Sequence, residues 1–187
     1  MTKKWRNACK NEFISIDLET TGLSPSKDKI LEIAAIRYRN FEEADNFATL
    51  INPGIKIPEK ITTINGITNE MVKDSPMIED VLPKLFEYIG NSVLIAHNAS
   101  FDLKFIKYNA DNQGFDFFNP FIDTLSLCCK LFPEFENHKL RTIVEELCLG
   151  TNEFHRAQAD ARYVGKILIE CINKIDRQEA EREISNL

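Results

Sequence analysis

The stretch Phe13-Ile14-Ser15-Ile16-Asp17-Leu18-Glu19-Thr20-Thr21-Gly22 organises the reading of the whole chain. From Phe13 to Asp17 it alternates apolar and polar residues, the pattern of a strand with one face on a core. Asp17 and Glu19 are two apart, so a strand projects both carboxylates to one side. Thr20-Thr21-Gly22 then forms a polar turn that exposes backbone groups. Two adjacent carboxylates repel and raise each other's proton affinity unless a cation sits between them. Hard oxygen ligands on a rigid strand suit magnesium or manganese. A solvated strand end carrying acids by chance is an equally good reading of this fragment alone.

Working outward, Ile30–Arg39 and Phe47–Ile51 read as strands, the second ended by Asn52-Pro53-Gly54. Three strands with short links predict an antiparallel meander. Ile78, Val81, Leu82, Leu85, Phe86 and Ile89 recur at helical spacing. Val93–Ala96 is a short buried strand. Ser100 is the expected cap of a helix running to about Asn112. Phe121–Asp123 is a further strand, and helices follow over Thr124–Leu131 and Leu140–Leu147. The last helix starts near Gln158 with the stripe Ala161, Val164, Leu168, Cys171, Ile172 and Ile175. The charged residues after Asp176 are expected to fray. Fold class is thus α/β: a three-strand antiparallel meander plus parallel strands, a mixed sheet flanked by helices.

A chain of 187 residues fits one domain with its own core, and 43% hydrophobic with 28% charged residues marks it as globular. No apolar run is long enough to span a bilayer, and Met1–Lys10 lacks the apolar region of a signal peptide. A cytoplasmic location with no membrane partner is expected. Cys9, Cys128, Cys129, Cys148 and Cys171 show no zinc-knuckle spacing and read as reduced, mostly buried thiols. The net charge of −6, from 29 acids and 23 bases, argues against long non-specific duplex binding. It leaves room for a short strand end if several acids hold divalent cations.

Two further segments carry chemistry. In His97-Asn98-Ala99-Ser100-Phe101-Asp102 a buried strand delivers the chain to a helix start. There Asp102 is favoured by the helix dipole whether or not it binds anything. His97 and Asn98 read as groups that fix neighbouring residues rather than as catalysts. In His155-Arg156-Ala157-Gln158-Ala159-Asp160 the acid lies early in the last helix and the histidine in the loop before it. Taken alone, this is a capping acid and a surface histidine. Together, four carboxylates on separate elements and one histidine meet the needs of two-metal hydrolysis. One ion generates the attacking hydroxide, the other stabilises the leaving oxygen, and the histidine removes a proton.

Ile16-Asp17-Leu18-Glu19-Thr20-Thr21-Gly22-Leu23, Ala96-His97-Asn98-Ala99-Ser100-Phe101-Asp102 and His155-Arg156-Ala157-Gln158-Ala159-Asp160-Ala161 resemble the three exonuclease motifs of the DnaQ-like family, in the subgroup with four acids and a histidine. The resemblance runs from about Phe13 to Ile172. It implies a ribonuclease H-like fold, 3′-to-5′ removal of nucleoside 5′-monophosphates, and two divalent ions, magnesium or manganese. By the family's pattern Asp17, Glu19 and Asp160 hold the nucleophile-side metal, Asp17 bridges, Asp102 supports the second ion, and His155 is the general base.

Ile64-Asn65-Gly66-Ile67-Thr68 is similar to a family loop that packs on the terminal base and sugar, where many proofreading members have histidine in place of Asn65. The resemblance makes Thr20, Thr21, Leu23, Ile64, Asn65, His97, Asn98 and Phe101 the substrate-binding set. Asp123-Thr124 resembles a recurrent family dipeptide, and Asp123 reads as the cap of the helix that follows. Arg156, Lys139 and Arg141 are candidates to meet phosphates, with plain surface solvation the favoured reading of each. Residues 1–11 are expected as an N-terminal extension, 12–176 as the exonuclease domain and 177–187 as a charged tail. The expected partner is the 3′ end of DNA, with a DNA polymerase as a further partner. The alternatives are an RNA trimmer of the oligoribonuclease kind and a non-catalytic nucleic-acid-binding module.

Overall fold

The computed structural model describes residues 3–150 and 154–185. Its sheet has five strands: β1 (Glu12–Thr20), β2 (Ile30–Arg39), β3 (Glu42–Leu50), β4 (Leu94–Ala96) and β5 (Phe121–Asp123). Their order is β3-β2-β1-β4-β5. The first three form the antiparallel meander, and β4 and β5 add in parallel beside β1. The helices are α1 (Lys3–Asn11), α2 (Glu59–Asn65), α3 (Asn69–Val72), α4 (Ile78–Ile89), α5 (Ala99–Gln113), α6 (Thr124–Leu131), α7 (Leu140–Glu146) and α8 (Ala157–Ser185). The α/β mixed sheet flanked by helices is the architecture the sequence patterns predict.

The alternation along β1 sorts its side chains into two cores. Ile14, Ile16 and Leu18 pack with Leu82, Leu85, Phe105 and Ile106 of α4 and α5. On the other face Phe13 joins Val164, Ile167, Leu168 and Ile172 of α8, with Leu127 of α6 and Ile143 and Val144 of α7. Each such side chain withdrawn from water stabilises the fold by about 1.5–3 kcal/mol. Gly165 lets α8 lie close on the sheet, because a Cβ there would stand 2.3 Å from the Tyr38 ring. Tyr38 in turn stacks on Phe13 at 4.8 Å, and its hydroxyl donates to the Arg162 carbonyl. This close seat sets where the start of α8 meets the end of β1.

Several expectations are corrected. β3 begins at Glu42 rather than Phe47, because Glu42, Glu43 and Asp45 lie on an exposed sheet edge and leave no apolar alternation to read. Ser100 is not the cap of α5. That place falls to Asn98, in a left-handed conformation, and the Ser100 hydroxyl donates to the Asn98 side chain. The residues after Asp176 remain helical to Ser185. Arg6 of α1 binds Asp176 and Glu179 at 3.0 and 2.6 Å, and Lys10 binds Asp176 at 2.6 Å. The five cysteines are free; Cys9, Cys128 and Cys171 are buried, whereas Cys129 and Cys148 are exposed. No helix among the described residues is long and apolar enough to cross a membrane.

Candidate active site

Asp17 and Glu19 emerge at the end of β1 on the α8 side of the sheet, with Leu18 buried between them on the other. A register shift between Glu19 and Thr20 ends the regular pairing with β2 and turns the chain into the Thr20–Gly22 loop. That loop is tied internally. Thr20 donates to the Gly22 carbonyl, while the Thr21 hydroxyl accepts from the Lys29 N–H at 2.9 Å. Any side chain at Gly22 would strike the Asp28 carboxylate at 2.5 Å, and that carboxylate accepts from the Ser24 N–H. Beyond the loop Leu23 stands 77% exposed, an apolar side chain presented to solvent.

The other acids arrive from helix starts. Asp102, in the first turn of α5, is buried and accepts from the Leu18 N–H at 3.1 Å. Asp160, in the first turn of α8, accepts from the His155 N–H at 3.0 Å through one carboxylate oxygen. Its other oxygen is buried with no hydrogen-bond partner. His155 is exposed and left-handed, with φ of 67°. One ligand atom from each of Glu19, His155 and Asp160 lies within 4.8 Å of the others.

The electrostatics follow from this crowding. Burial first, then the charges of Asp102, Asp160, Glu19 and Glu32, hold the Asp17 carboxyl well above the usual range. Burial pushes Asp102 up to about 8, against hydrogen bonds from the backbone of Asp102 itself and Leu18. Glu19 is pushed to about 7 by burial, opposed by its bond from Asn65. Burial also lifts Asp160 to about 6, opposed by the His155 backbone N–H and imidazole. A partnerless buried carboxylate oxygen among acids that resist ionisation is the donor set that divalent cations complete. The residues present therefore fit such ions.

Around this centre, Asn65 donates to Glu19 at 3.2 Å while its carbonyl oxygen accepts from Ile67, so the Ile64–Thr68 loop is tied to a carboxylate of the site. Ile64 is 49% exposed. Both ring nitrogens of His97 are engaged, one with the Thr124 hydroxyl at 3.0 Å and one with the His138 carbonyl at 2.9 Å. The carbonyl can only accept, so His97 Nε2 carries a proton. Burial lowers the ring's proton affinity, outweighing the bond to the His138 carbonyl, which raises it. The exposed Asn98 and the half-buried Phe101, whose ring lies 5.2 Å from Phe105, border the start of α5. Asp123 caps α6, accepting from Leu125 and Ser126, and also accepts from the N–H groups of Asn98 and Ala99 at the start of α5.

Two residues depart from the sequence reading. Arg156, read as a solvated cation, is paired with Glu32 through its Nε and Nη2 at 3.1 and 2.8 Å. Glu32 itself was missed. It is 4% exposed and stands opposite Glu19 in the β1–β2 pairing. The available signal is a lone acid inside the apolar run Ile30–Ile36. Of the other two cations, Arg141 lies over the Phe154 ring at 4.9 Å, and Lys139 is exposed.

Comparison with known proteins gives this geometry a lineage. A family model described as Exonuclease matches residues 14–168. The DNA polymerase III subunit epsilon of Aquifex aeolicus is 37% identical over 170 residues, covering 90% of this chain and 84% of that protein. DNA polymerase III PolC-type of Clostridium perfringens is 39% identical over 177 residues, or 95% of this chain, yet the chain spans 12% of that protein's length. Among solved structures, Exonuclease X in complex with 5′ overhanging duplex DNA matches with TM-score 0.69 and 28% identity, over 86% of this chain and 91% of that one. Escherichia coli Exonuclease I, in a single-stranded DNA complex, shares the fold at TM-score 0.76 and 18% identity, over 90% of this chain and 42% of that one. The chain belongs to the exonuclease family, and within it to the DnaQ-like 3′-to-5′ exonucleases with four acids and a histidine.

Proposed function

We propose that the chain removes nucleoside 5′-monophosphates from the 3′ end of single-stranded or frayed DNA, using two magnesium or manganese ions and His155 as general base. The observation that carries this reading is the meeting of Glu19, His155 and Asp160 within 4.8 Å, beside a buried Asp160 oxygen with no protein partner. Asp17, Glu19 and Asp160 would hold one ion, and Asp17 with Asp102 the other. When bound, the ions supply a water of lowered pKa and neutralise charge building on the scissile phosphate.

The residues do the rest. Asp102 is aimed by the Leu18 N–H, Glu19 by Asn65, and Asp160 by the His155 N–H, so three of the four carboxylates are oriented before substrate arrives. The exposed imidazole of His155 is free to take the proton of the attacking water, as histidine does near neutral pH. The Thr20–Leu23 loop, with Ile64, Asn98 and Phe101, would cradle the terminal nucleotide. Relatives named as DNA polymerase III components support DNA as the substrate and a polymerase as a partner, and cytoplasmic work is in keeping with them. The test is stepwise shortening of matched 5′-labelled DNA and RNA oligomers with magnesium. Faster RNA hydrolysis would reassign the substrate, and unchanged activity of Asp17→Ala or His155→Ala would remove those residues from the mechanism.

A further inference from the structure

We infer that Glu32 is a positioning residue: through Arg156 and the N–H of Ala157, its carboxylate fixes the left-handed turn that presents His155 to the site. This rests on the reading of His155 as the base. Glu32 is the lone acid of the apolar run Ile30–Ile36, and a buried charge persists only when donors satisfy it. Its Oε1 accepts from Arg156 Nη2 at 2.8 Å, and its Oε2 accepts from Arg156 Nε at 3.1 Å and from Ala157 N–H at 3.0 Å. All three donors belong to the loop–helix junction at residues 156–157. Although Glu32 stands beside Glu19, protein donors occupy both of its oxygens, so it is arranged as an anchor rather than as a metal ligand.

The junction needs such an anchor. The first N–H groups of a helix have no partner within it, and an accepting side chain usually caps them. Here the residue before α8 is Arg156, whose guanidinium accepts nothing. The acceptor comes instead from the neighbouring strand. One residue earlier, His155 adopts a backbone conformation that side chains beyond glycine rarely take. Its N–H is held by Asp160 from the helix side, and Glu32 holds the next two residues from the sheet side. Among the described residues no hydrogen bond grips the imidazole. Its place near Glu19 and Asp160 therefore follows from how this turn is pinned.

The test uses Glu32→Gln, which keeps size and removes charge, with Arg156→Ala as a second variant should the buried change prevent folding. The chain has three histidines, so isotope-labelled histidine spectra resolve each ring. The His155 resonance is expected to shift or broaden in either variant, while those of His97 and His138 stay in place. The kcat on a single-stranded oligodeoxynucleotide should fall about 10- to 100-fold, with KM little changed. In a His155→Ala background the same change should cost less than about threefold, because the group it positions is gone. An unchanged His155 resonance, or losses that multiply fully in the double variant, would overturn the inference. If His155→Ala alone keeps full activity, the base role fails, and the spectra still decide whether Glu32 sets the turn.

Discussion

Asp123, the last residue of β5 and the cap of α6, and Asp160, in the first turn of α8, both lie at helix starts, yet they are opposite kinds of carboxylate. Asp123 receives four backbone N–H groups, from Asn98, Ala99, Leu125 and Ser126, and the Ser126 hydroxyl at 2.6 Å. Burial works against its ionisation, but hydrogen bonds led by that of Ser126 outweigh it and lower its pKa. Asp160 has one N–H and a bare buried oxygen, and burial lifts it to about 6. Asp17, Glu19 and Asp102 are raised with it. Position at a helix N-terminus does not separate a structural acid from a functional one. The number of protein donors does, because a saturated carboxylate cannot also serve a cation.

The sharpest break of this contrast is Asp17→Asn, expected to lower kcat by about 10³-fold or more. The same variant should melt higher than the parent in EDTA, because a crowded charge is gone. Loss of activity with lower stability would mean that Asp17 supports the fold instead.

Next in size is the pH response of the metal-free protein. Glu19, Asp102 and Asp160 have folded-state values of about 7, 8 and 6, above their usual 4.5, 3.8 and 3.8. Their protonated forms favour folding, so that stability is complete at acid pH and is lost as pH rises through the raised values. In EDTA the thermal midpoint should fall by several degrees from about pH 5 to about pH 8, and magnesium or manganese should level it. A flat EDTA profile would contradict the crowding. Asp123, with its lowered value, contributes in the other direction, its share being lost only as pH drops below about 4.

Asp123→Ala should then cost about 2 kcal/mol in chemical denaturation, the upper range for a cap, since two helix starts lose an acceptor. If the loss were below about 0.5 kcal/mol, water would be replacing those bonds. The smallest effect is expected from Asn65→Ala, which frees Glu19. Its kcat should fall about tenfold while the melting temperature barely moves. A change confined to KM would instead make Asn65 a substrate contact.

Much of this is legible in the residues, for physical reasons. The bounds of β2, α4, β5 and α6 follow from apolar periodicity, and the two-residue spacing of Asp17 and Glu19 is enough to put them on one face of a strand. Periodicity says little where the buried residues are few or not apolar, which is why the exposed acidic start of β3 escapes it, and with it the short helices α1, which buries Arg6 and Cys9, and α2, which buries Asn65. Glu32 escapes for another reason. A single acid within a strand acquires meaning only when the β1–β2 register sets it opposite Glu19 and α8 brings Arg156 across the sheet. The left-handed turn at His155 is likewise a product of tertiary bonds, since histidine as a residue type does not require it.

The pairing of Arg6 and Lys10 with Asp176 and Glu179 bears on how such a fold travels between proteins. It brings the first helix onto the far end of the last, so the incoming and outgoing backbone share one pole of the molecule. From Asp160 to Glu179 the long helix rises about 28 Å, which sets that pole well away from the catalytic end. A unit with adjacent ends can be spliced into a host polypeptide as a side lobe on two linkers, with the host's own fold left continuous. The lobe would then be free to receive a strand end on the side facing away from its tethers.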